Sequence, residues 1–197
     1  MTIKIGITGS IGMGKTTVSH MFKKNGVKVW NADTEVHKLY KIGNEGYNKI
    51  ISIYPQLKDK KEINREKVSQ LIRQKKIDLK RIEKVIHPLL ALGRLNFISE
   101  NKNKNIIVFE IPLLYETNAD KWLDYVISVY CSNKTQMKRL SERKNFDKKK
   151  INYLLTQQLS IEKKNKKADF LINTDKKKID IEKEVREIMK ILEKKDD

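Results

Sequence analysis

Short apolar runs alternate along the chain with longer segments in which apolar side chains recur every three or four residues. The short runs are typical of buried β-strands and occupy residues 3–8, 27–30, 106–109, 125–130 and 170–172. The longer segments have the spacing of amphipathic helices, at residues 17–24, 33–103, 134–144, 147–158 and 179–194. Because apolar strands that alternate with helices are covered on both faces, we predict an α/β fold with three layers and a five-stranded parallel sheet.

Helix ends are marked by residues that suit the cap positions. Gly26 suits a left-handed C-cap of the first helix, and Asn64 and Asp78 suit N-caps. Pro88 suits the first turn of a long helix, because that turn does not use the missing backbone N–H. The charged tail at residues 194–197 is predicted to be disordered.

The helical segment 33–103 is longer than a crossover between parallel strands requires. We predict that it forms a helical substrate-binding insert within a single domain of residues 1–197, whose core comprises 1–32, 104–132 and 168–197. Open parallel sheets bind ligands outside the carboxyl ends of their strands, so the residues that follow each strand are the first candidates for a site.

The sequence GSIGMGKT at residues 9–16 follows the first predicted strand and matches the pattern G-x-x-x-x-G-K-[ST]. Glycines in such a loop let backbone N–H groups surround phosphate oxygens, and the next helix directs its positive N-terminus at the same anion. The pattern predicts that Lys15 reaches the β- and γ-phosphates of the ligand and that Thr16 holds Mg²⁺. An ordinary glycine-rich turn is the alternative, but it does not require the flanking strand and helix. The predicted nucleotide-binding residues are Gly9, Gly12, Met13, Gly14, Lys15, Thr16 and Thr17.

Polar residues at other strand ends and on one helix are further candidates. Asp33 follows the second strand, where it suits equally a base for a substrate hydroxyl or a helix N-cap. Glu110 ends the third strand and is either a carboxylate near Mg²⁺ or a plain surface carboxylate. The residues alone favour the surface carboxylate. Arg139 and Arg143 lie on one helical face and suit triphosphate oxygens, although solvated or salt-bridged arginines are the interpretation that the residues alone favour.

The formal net charge is +18, from 43 basic and 25 acidic residues, which by itself suggests a nucleic-acid partner. Only 7 of the 43 basic residues are Arg, and the lysines are scattered over almost every polar segment. We interpret the charge as a sequence-wide bias toward Lys, with nonspecific polyanion binding at low salt and no specific nucleic acid as partner. The lysine runs 148–150, 163–167 and 176–178 are predicted to be solvated.

Cys131 is the single cysteine, so no internal disulfide forms, and its apolar neighbours favour a packed thiol over a nucleophile. No apolar run approaches the ~18 residues of a membrane span, and the chain begins without the pattern of an export signal. We expect a cytoplasmic protein without a membrane partner, as a monomer or weak homo-oligomer.

Several motifs occur in a fixed order along nearly the whole chain. They are the phosphate loop in IGITGSIGMGKTTV, NAD at 31–33, Asn64-Arg65, Ile86-His87-Pro88, IPLLYE at 111–116, QMKR at 136–139 with Arg143, QLS at 158–160, and Ala168-Asp169. With this combination the chain resembles the dephospho-CoA kinases, P-loop enzymes that complete coenzyme A synthesis. The loop alone is generic, whereas the ordered combination is specific.

The resemblance implies the P-loop NTPase fold with a lid at about 133–167, and transfer of the ATP γ-phosphoryl group to the ribose 3′-hydroxyl of dephospho-CoA. It implies Asp33 as the base, with Lys15, Arg139 and Arg143 offsetting the phosphate charge. Arg65 and His87 would lie where dephospho-CoA binds, His87 as a substrate contact or as a packed, hydrogen-bonded histidine. Two residues depart from the family pattern: Asn31 replaces an acid, and Leu154 stands where many members have arginine.

Two other classes of protein share part of these features. Another small-molecule or nucleotide P-loop kinase would share the loop and lid but lack the H-P and P-L-L-x-E combination. An NTP-dependent nucleic-acid-binding protein would account for the charge. A guanine-specific switch protein is disfavoured, because residues 133–136 read NKTQ and lack the acid of the base-reading motif N-K-x-D.

Overall fold

The computed structural model describes the chain apart from residues 60, 143–146, 148–150, 153–154 and 197, and apart from the side chains of 65, 195 and 196. The chain divides into two compact units. The first comprises Met1–Trp30 and Asn101–Asp197, and the second comprises Asn31–Glu100.

A five-stranded parallel sheet forms the centre of the first unit. Its strands are β1 (Ile3–Thr8), β2 (Lys28–Asn31), β3 (Ile106–Glu110), β4 (Tyr125–Tyr130) and β5 (Phe170–Asn173). They lie in the order β2-β3-β1-β4-β5, and the register pairs Ile7 of β1 with Glu110 of β3 and Thr8 of β1 with Ser128 of β4. This confirms the predicted α/β class and the parallel arrangement of the strands.

Helices with apolar faces cover the sheet of the first unit. The α-helices in its described residues include α1 (Lys15–Lys24), α6 (Asn133–Ser141), α7 (Ile161–Lys167) and α8 (Lys178–Asp196). Val18 and Phe22 of α1 pack in one cluster with Ile5 of β1 and Val185 of α8, all of them fully buried. Burial of each such side chain contributes about 1.5–3 kcal/mol, which explains why these strands read as largely apolar runs.

The second unit is helical and has its own core, in which Ile50, Leu57 and Ile63 are fully buried. Both predicted N-caps are confirmed: the Asn64 side chain accepts hydrogen bonds from the N–H groups of Glu66 and Lys67, and the Asp78 carboxylate accepts one from Lys80. The helices are α2 (Ala32–Leu39), α3 (Glu45–Ile53), α4 (Arg65–Arg73) and α5 (Leu79–Glu100).

Pro88 lies inside α5, so its predicted place in a first turn is wrong. A proline in a helix interior removes one backbone hydrogen bond and costs about 3 kcal/mol. Ile82 and Ile86, which lie six and two residues before it, are buried in the core of the second unit, whereas the Pro88 ring is exposed. Packing of the apolar face therefore holds one continuous helix through the proline.

The C-terminal segment differs from its prediction as well, because α8 extends through Asp196 where a disordered tail is expected. One face of this helix is buried against the sheet, with the spacing i, i+4 and i+7 of Ile181, Val185 and Ile188. The packed turns extend the helix into the charged tail.

Within the described part of the chain, none of the helices combines the length and the apolar character of a membrane span.

Candidate active site

The loop between β1 and α1 has the backbone geometry that its glycines predict. Gly9 and Gly14 have φ angles of 148° and 92°, which residues with a Cβ rarely adopt. Gly14 is the N-cap of α1 and has no side chain to satisfy the first N–H groups of the helix. The N-terminus of α1 thus has no capping side chain, which is an arrangement that suits an anion at a helix N-terminus.

Close packing also restricts these two positions to glycine. A Cβ on Gly9 would overlap the carbonyl oxygen of Val129 at the carboxyl end of β4. A Cβ on Gly14 would lie 3.1 Å from Cγ2 of Thr174 and 3.4 Å from Nη1 of Arg139. The loop is thus held against the neighbouring strands, and Arg139 lies beside its last glycine.

The Lys15 ammonium folds back over the loop. Its Nζ donates hydrogen bonds to the carbonyl oxygens of Gly9 at 2.9 Å and of Ser10 at 3.0 Å. The charge is therefore held next to the same backbone whose N–H groups are predicted to bind phosphate. An incoming phosphate would meet a positioned cation and would not have to order a free side chain.

Thr16 and Glu110 meet at the carboxyl ends of β1 and β3. The Thr16 hydroxyl donates to Oε1 of Glu110 at 2.8 Å, and Glu110 is 4% exposed. The interpretation of Glu110 as a plain surface carboxylate is wrong, because the register of β3 against β1 directs this side chain toward the phosphate loop. A hydroxyl and a carboxylate are hard oxygen donors of the kind that Mg²⁺ prefers.

Arg139 of α6 is also part of this site and is not merely solvated. Its Nη1 donates to Oγ1 of Thr174 and its Nη2 to the carbonyl oxygen of Thr174, both at 2.9 Å. The Thr174 hydroxyl in turn donates to the carbonyl oxygen of Met13 at 2.9 Å. Sequence reasoning missed Thr174, although its position two residues after the predicted strand 170–172 was a usable signal. Arg143 lies outside the described residues.

Met13 and Gln136 fix the outer part of the loop. The thioether sulfur of Met13 accepts the N–H of Cys131 at 3.2 Å, and Gln136 Nε2 donates to the carbonyl oxygen of Ile11 at 2.6 Å. Cys131 is buried, and burial raises the pKa of its thiol, which is the packed, unreactive thiol that its apolar neighbours predict. The backbone N–H directly after β4 and one side chain of α6 therefore hold the outer part of the loop in this shape.

Lys164 contradicts the prediction that the lysine run 163–167 is solvated. Its side chain is 0% exposed, and its Nζ forms an ion pair with Oε1 of Glu116 at 3.0 Å. Burial lowers the pKa of Lys164, and the hydrogen bond to Glu116 raises it in part. Glu116 ends the motif IPLLYE, and Lys164 lies four residues after the motif QLS, but no local pattern indicates that the two residues meet.

The second unit carries Asp33, Arg65 and His87, each at an identifiable helical position. Asp33 is exposed in the first turn of α2, and the N-cap of that helix is Asn31, whose Oδ1 accepts the Thr34 N–H at 2.8 Å. The N-cap interpretation of Asp33 is therefore wrong. Arg65 begins α4, and its side chain lies outside the described residues. His87 is exposed on α5, so the packed-histidine interpretation is wrong.

Comparison with known proteins gives concordant results. A sequence model of a protein family, described as "CoaE: Dephospho-CoA kinase", matches residues 3–180. The dephospho-CoA kinase of Bartonella quintana is 35% identical, over 96% of this chain and 96% of the relative. The dephospho-CoA kinase of Rickettsia typhi is 36% identical, over 97% of this chain and 98% of the relative. A solved structure of dephospho-CoA kinase from Campylobacter jejuni superposes with a TM-score of 0.68 at 26% identity over 100% of both chains.

Proposed function

Because the chain belongs to the dephospho-CoA kinase family, we propose that it transfers the ATP γ-phosphoryl group to the ribose 3′-hydroxyl of dephospho-CoA. The protein is an ATP-dependent transferase that phosphorylates dephospho-CoA in coenzyme A biosynthesis. The observation that carries this conclusion is a phosphate loop already assembled with Lys15, Thr16, Glu110 and Arg139, in a chain that matches the family over residues 3–180.

Phosphoryl transfer requires positioning and charge neutralisation more than covalent participation by the protein. The oxygen of the acceptor hydroxyl attacks the γ-phosphorus, the bond to the β–γ bridging oxygen breaks, and ADP leaves. The loop N–H groups and Lys15 hold the phosphate oxygens, which keeps the γ-phosphorus in one place for the attack. In our proposal the Asp33 carboxylate orients the hydroxyl and accepts its proton, and its exposure on α2 leaves it accessible to substrate.

The residues present fit a bound Mg²⁺. Thr16 Oγ1 and the Glu110 carboxylate supply oxygen ligands. The described residues contain no group of three or more His, Cys, Asp or Glu side chains that could hold a metal ion, so phosphate oxygens would supply the remaining ligands. Mg²⁺ in such sites neutralises charge on the β- and γ-phosphates. Thr16 and Glu110 would hold the ion, Thr16 with its hydroxyl and Glu110 with its carboxylate.

Arg139 suits the role of offsetting charge on the phosphates, because its guanidinium is fixed by two hydrogen bonds beside Gly14. A fixed guanidinium loses little conformational freedom on binding and keeps further donors for a ligand. We assign Arg143 the same role on the basis of family resemblance, and Arg65 and His87 the binding of dephospho-CoA. The exposed position of His87 on α5 supports a substrate contact.

A substrate screen tests the proposed function. The purified protein with Mg-ATP is expected to release ADP when dephospho-CoA is added, and to act poorly on nucleoside monophosphates. ADP release is measured by a coupled assay with each acceptor at equal concentration. If a nucleoside monophosphate and not dephospho-CoA stimulates ADP release, the acceptor assignment is wrong and the phosphate-loop assignment remains.

The net charge of +18 leads to a second expectation. Binding of DNA or RNA should fall by about 10³- to 10⁵-fold between 50 and 200 mM salt, because nonspecific contacts act through counterion release. Fluorescence anisotropy with labelled single- and double-stranded oligonucleotides over a salt series measures this. Nanomolar, sequence-selective binding at about 150 mM salt would instead favour a nucleic-acid function.

A further inference from the structure

A buried lysine in the first unit lies away from solvent and still next to the phosphate loop. Lys164 Nζ donates to the carbonyl oxygen of Pro112 at 2.7 Å and to Oε1 of Glu116 at 3.0 Å, and lies 3.5 Å from Oγ1 of Thr8. Thr8 is the last residue of β1, directly before Gly9. All three ammonium hydrogens therefore have an acceptor within the protein, and the side chain is too deeply buried to touch substrate.

Glu116 connects this lysine to the chain segment before α7. The same oxygen, Oε1, accepts the backbone N–H of Leu159 at 2.7 Å. The neighbouring Gln158 accepts a hydrogen bond from the Ser10 hydroxyl through its Oε1 at 2.9 Å. A continuous path of hydrogen bonds thus runs from Lys164 through Glu116 and the backbone at 158–159 to Ser10 in the phosphate loop.

The energetics of this pair favour a positional role. In many proteins the hydration energy that a buried ion pair loses exceeds the attraction between its two charges. Replacement of such a pair by well-packed apolar residues of similar size often leaves the stability of the protein unchanged. Glu116 Oε2 is buried and has no hydrogen-bond partner in the part of the chain that the structure describes. An ion pair that leaves a buried carboxylate oxygen without a hydrogen bond contributes little to the free energy of unfolding. We therefore interpret the pair as a means of fixing the position of the backbone.

We propose that Lys164 and Glu116 are positioning residues for phosphoryl transfer. They fix the backbone at Gln158 and Leu159 so that Gln158 holds Ser10, and thereby keep the phosphate loop in its ATP-binding shape. The proposal rests on the proposed function in that ATP is the ligand of this loop. Exposed lysines on the same helix, such as Lys166, make no such contact in the described structure.

The test compares Lys164→Met with the matched control Lys166→Met, which removes the same charge from an exposed position of α7. We expect Lys164→Met to raise the Kd for ATP about tenfold, roughly the loss of one charge-assisted hydrogen bond. The Kd is measured by titration of ATP without acceptor, so it does not depend on which acceptor the enzyme uses. Lys166→Met is expected to match the wild-type protein in ATP affinity and turnover.

A double-mutant cycle with Ser10→Ala separates positioning from a general loss of stability. If Lys164 acts through Gln158 and Ser10, the double variant binds ATP no more weakly than Lys164→Met alone, because both substitutions interrupt the same path of hydrogen bonds. Additive effects on ATP affinity, or a Lys164→Met variant with wild-type Kd and KM for ATP, overturn the proposal. Wild-type protein that binds ATP without phosphorylating dephospho-CoA would overturn the proposed function and leave this inference standing.

Glu116→Gln provides a second variant if Lys164→Met does not fold. The amide oxygen still accepts the Leu159 N–H, whereas the negative charge that faces Lys164 is lost. We expect a rise of a few-fold in the Kd for ATP, smaller than for Lys164→Met, with a KM for dephospho-CoA close to that of the wild-type enzyme. An unchanged Kd for ATP in Glu116→Gln contradicts the proposal in the same way.

Discussion

Replacement of Asp33 by Asn is expected to lower kcat by about 10²- to 10⁴-fold, the usual contribution of a general base. The amide keeps the size of the side chain but does not accept a proton from the ribose hydroxyl. ATP affinity should stay nearly unchanged, because the phosphate-binding groups lie in the loop and on α6. Turnover is measured with saturating ATP and dephospho-CoA, and ATP affinity by direct titration.

The capping arrangement of α2 makes this experiment specific. Asn31 caps the helix, so Asp33→Asn leaves the cap intact and should not unfold the first turn. Glu35→Gln is the matched control, since it removes a carboxylate from the same helix and only disrupts a surface pair with Lys38. Near-wild-type turnover in Asp33→Asn would leave the acceptor hydroxyl without an assigned base.

Replacement of Lys15 by Ala is expected to damage ATP binding and turnover together. The ammonium contacts phosphate in the ground state and in the transition state, so its loss should raise the Kd for ATP by about 10- to 150-fold, the range for hydrogen bonds to charged groups. The kcat should fall as well, because charge on the transferring phosphoryl group is no longer offset. Titration of ATP and steady-state kinetics with dephospho-CoA measure the two effects separately.

Lys23→Ala is the control for that variant, because Lys23 is exposed in the last turn of the same helix and its loss removes the same charge. We expect it to behave as the wild-type enzyme. A Lys15→Ala variant with unchanged ATP affinity and reduced kcat would show that Lys15 acts only in the transition state. The two variants Asp33→Asn and Lys15→Ala are therefore expected to differ in ATP affinity, which tests the role of each residue as well as its importance.

Local patterns predicted the sheet and the phosphate loop well, for physical reasons. Strands buried on both faces are largely apolar, so the runs at 3–8 and 125–130 coincide with β1 and β4. Glycines at positive φ have few substitutes, so the spacing of Gly9 and Gly14 indicated the loop's backbone. Both features depend on residues close in sequence, and this made them visible without tertiary information.

Features that depend on contacts distant in sequence were not predicted. Glu110 is buried because β3 pairs with β1, and Lys164 is buried because its helix packs near residues 112–116. The sequence offered Asp33 as the cap of α2, whereas the path of the backbone places Asn31 at that position. Asn31 thus departs from the family's acid and keeps an oxygen acceptor, which explains why the substitution is compatible with the fold.

The junction at Asn31 limits how the chain can change in length. Asn31 is both the last residue of β2 and the N-cap of α2, so no connecting residue separates the strand from the helix. One inserted residue after Asn31 would turn Asp33 by about 100° around the helix axis relative to its cap. Gly43, at the exposed tip of the turn that follows the bridge between Lys41 and Glu62, has no such coupling and is a position where an insertion would be tolerated better.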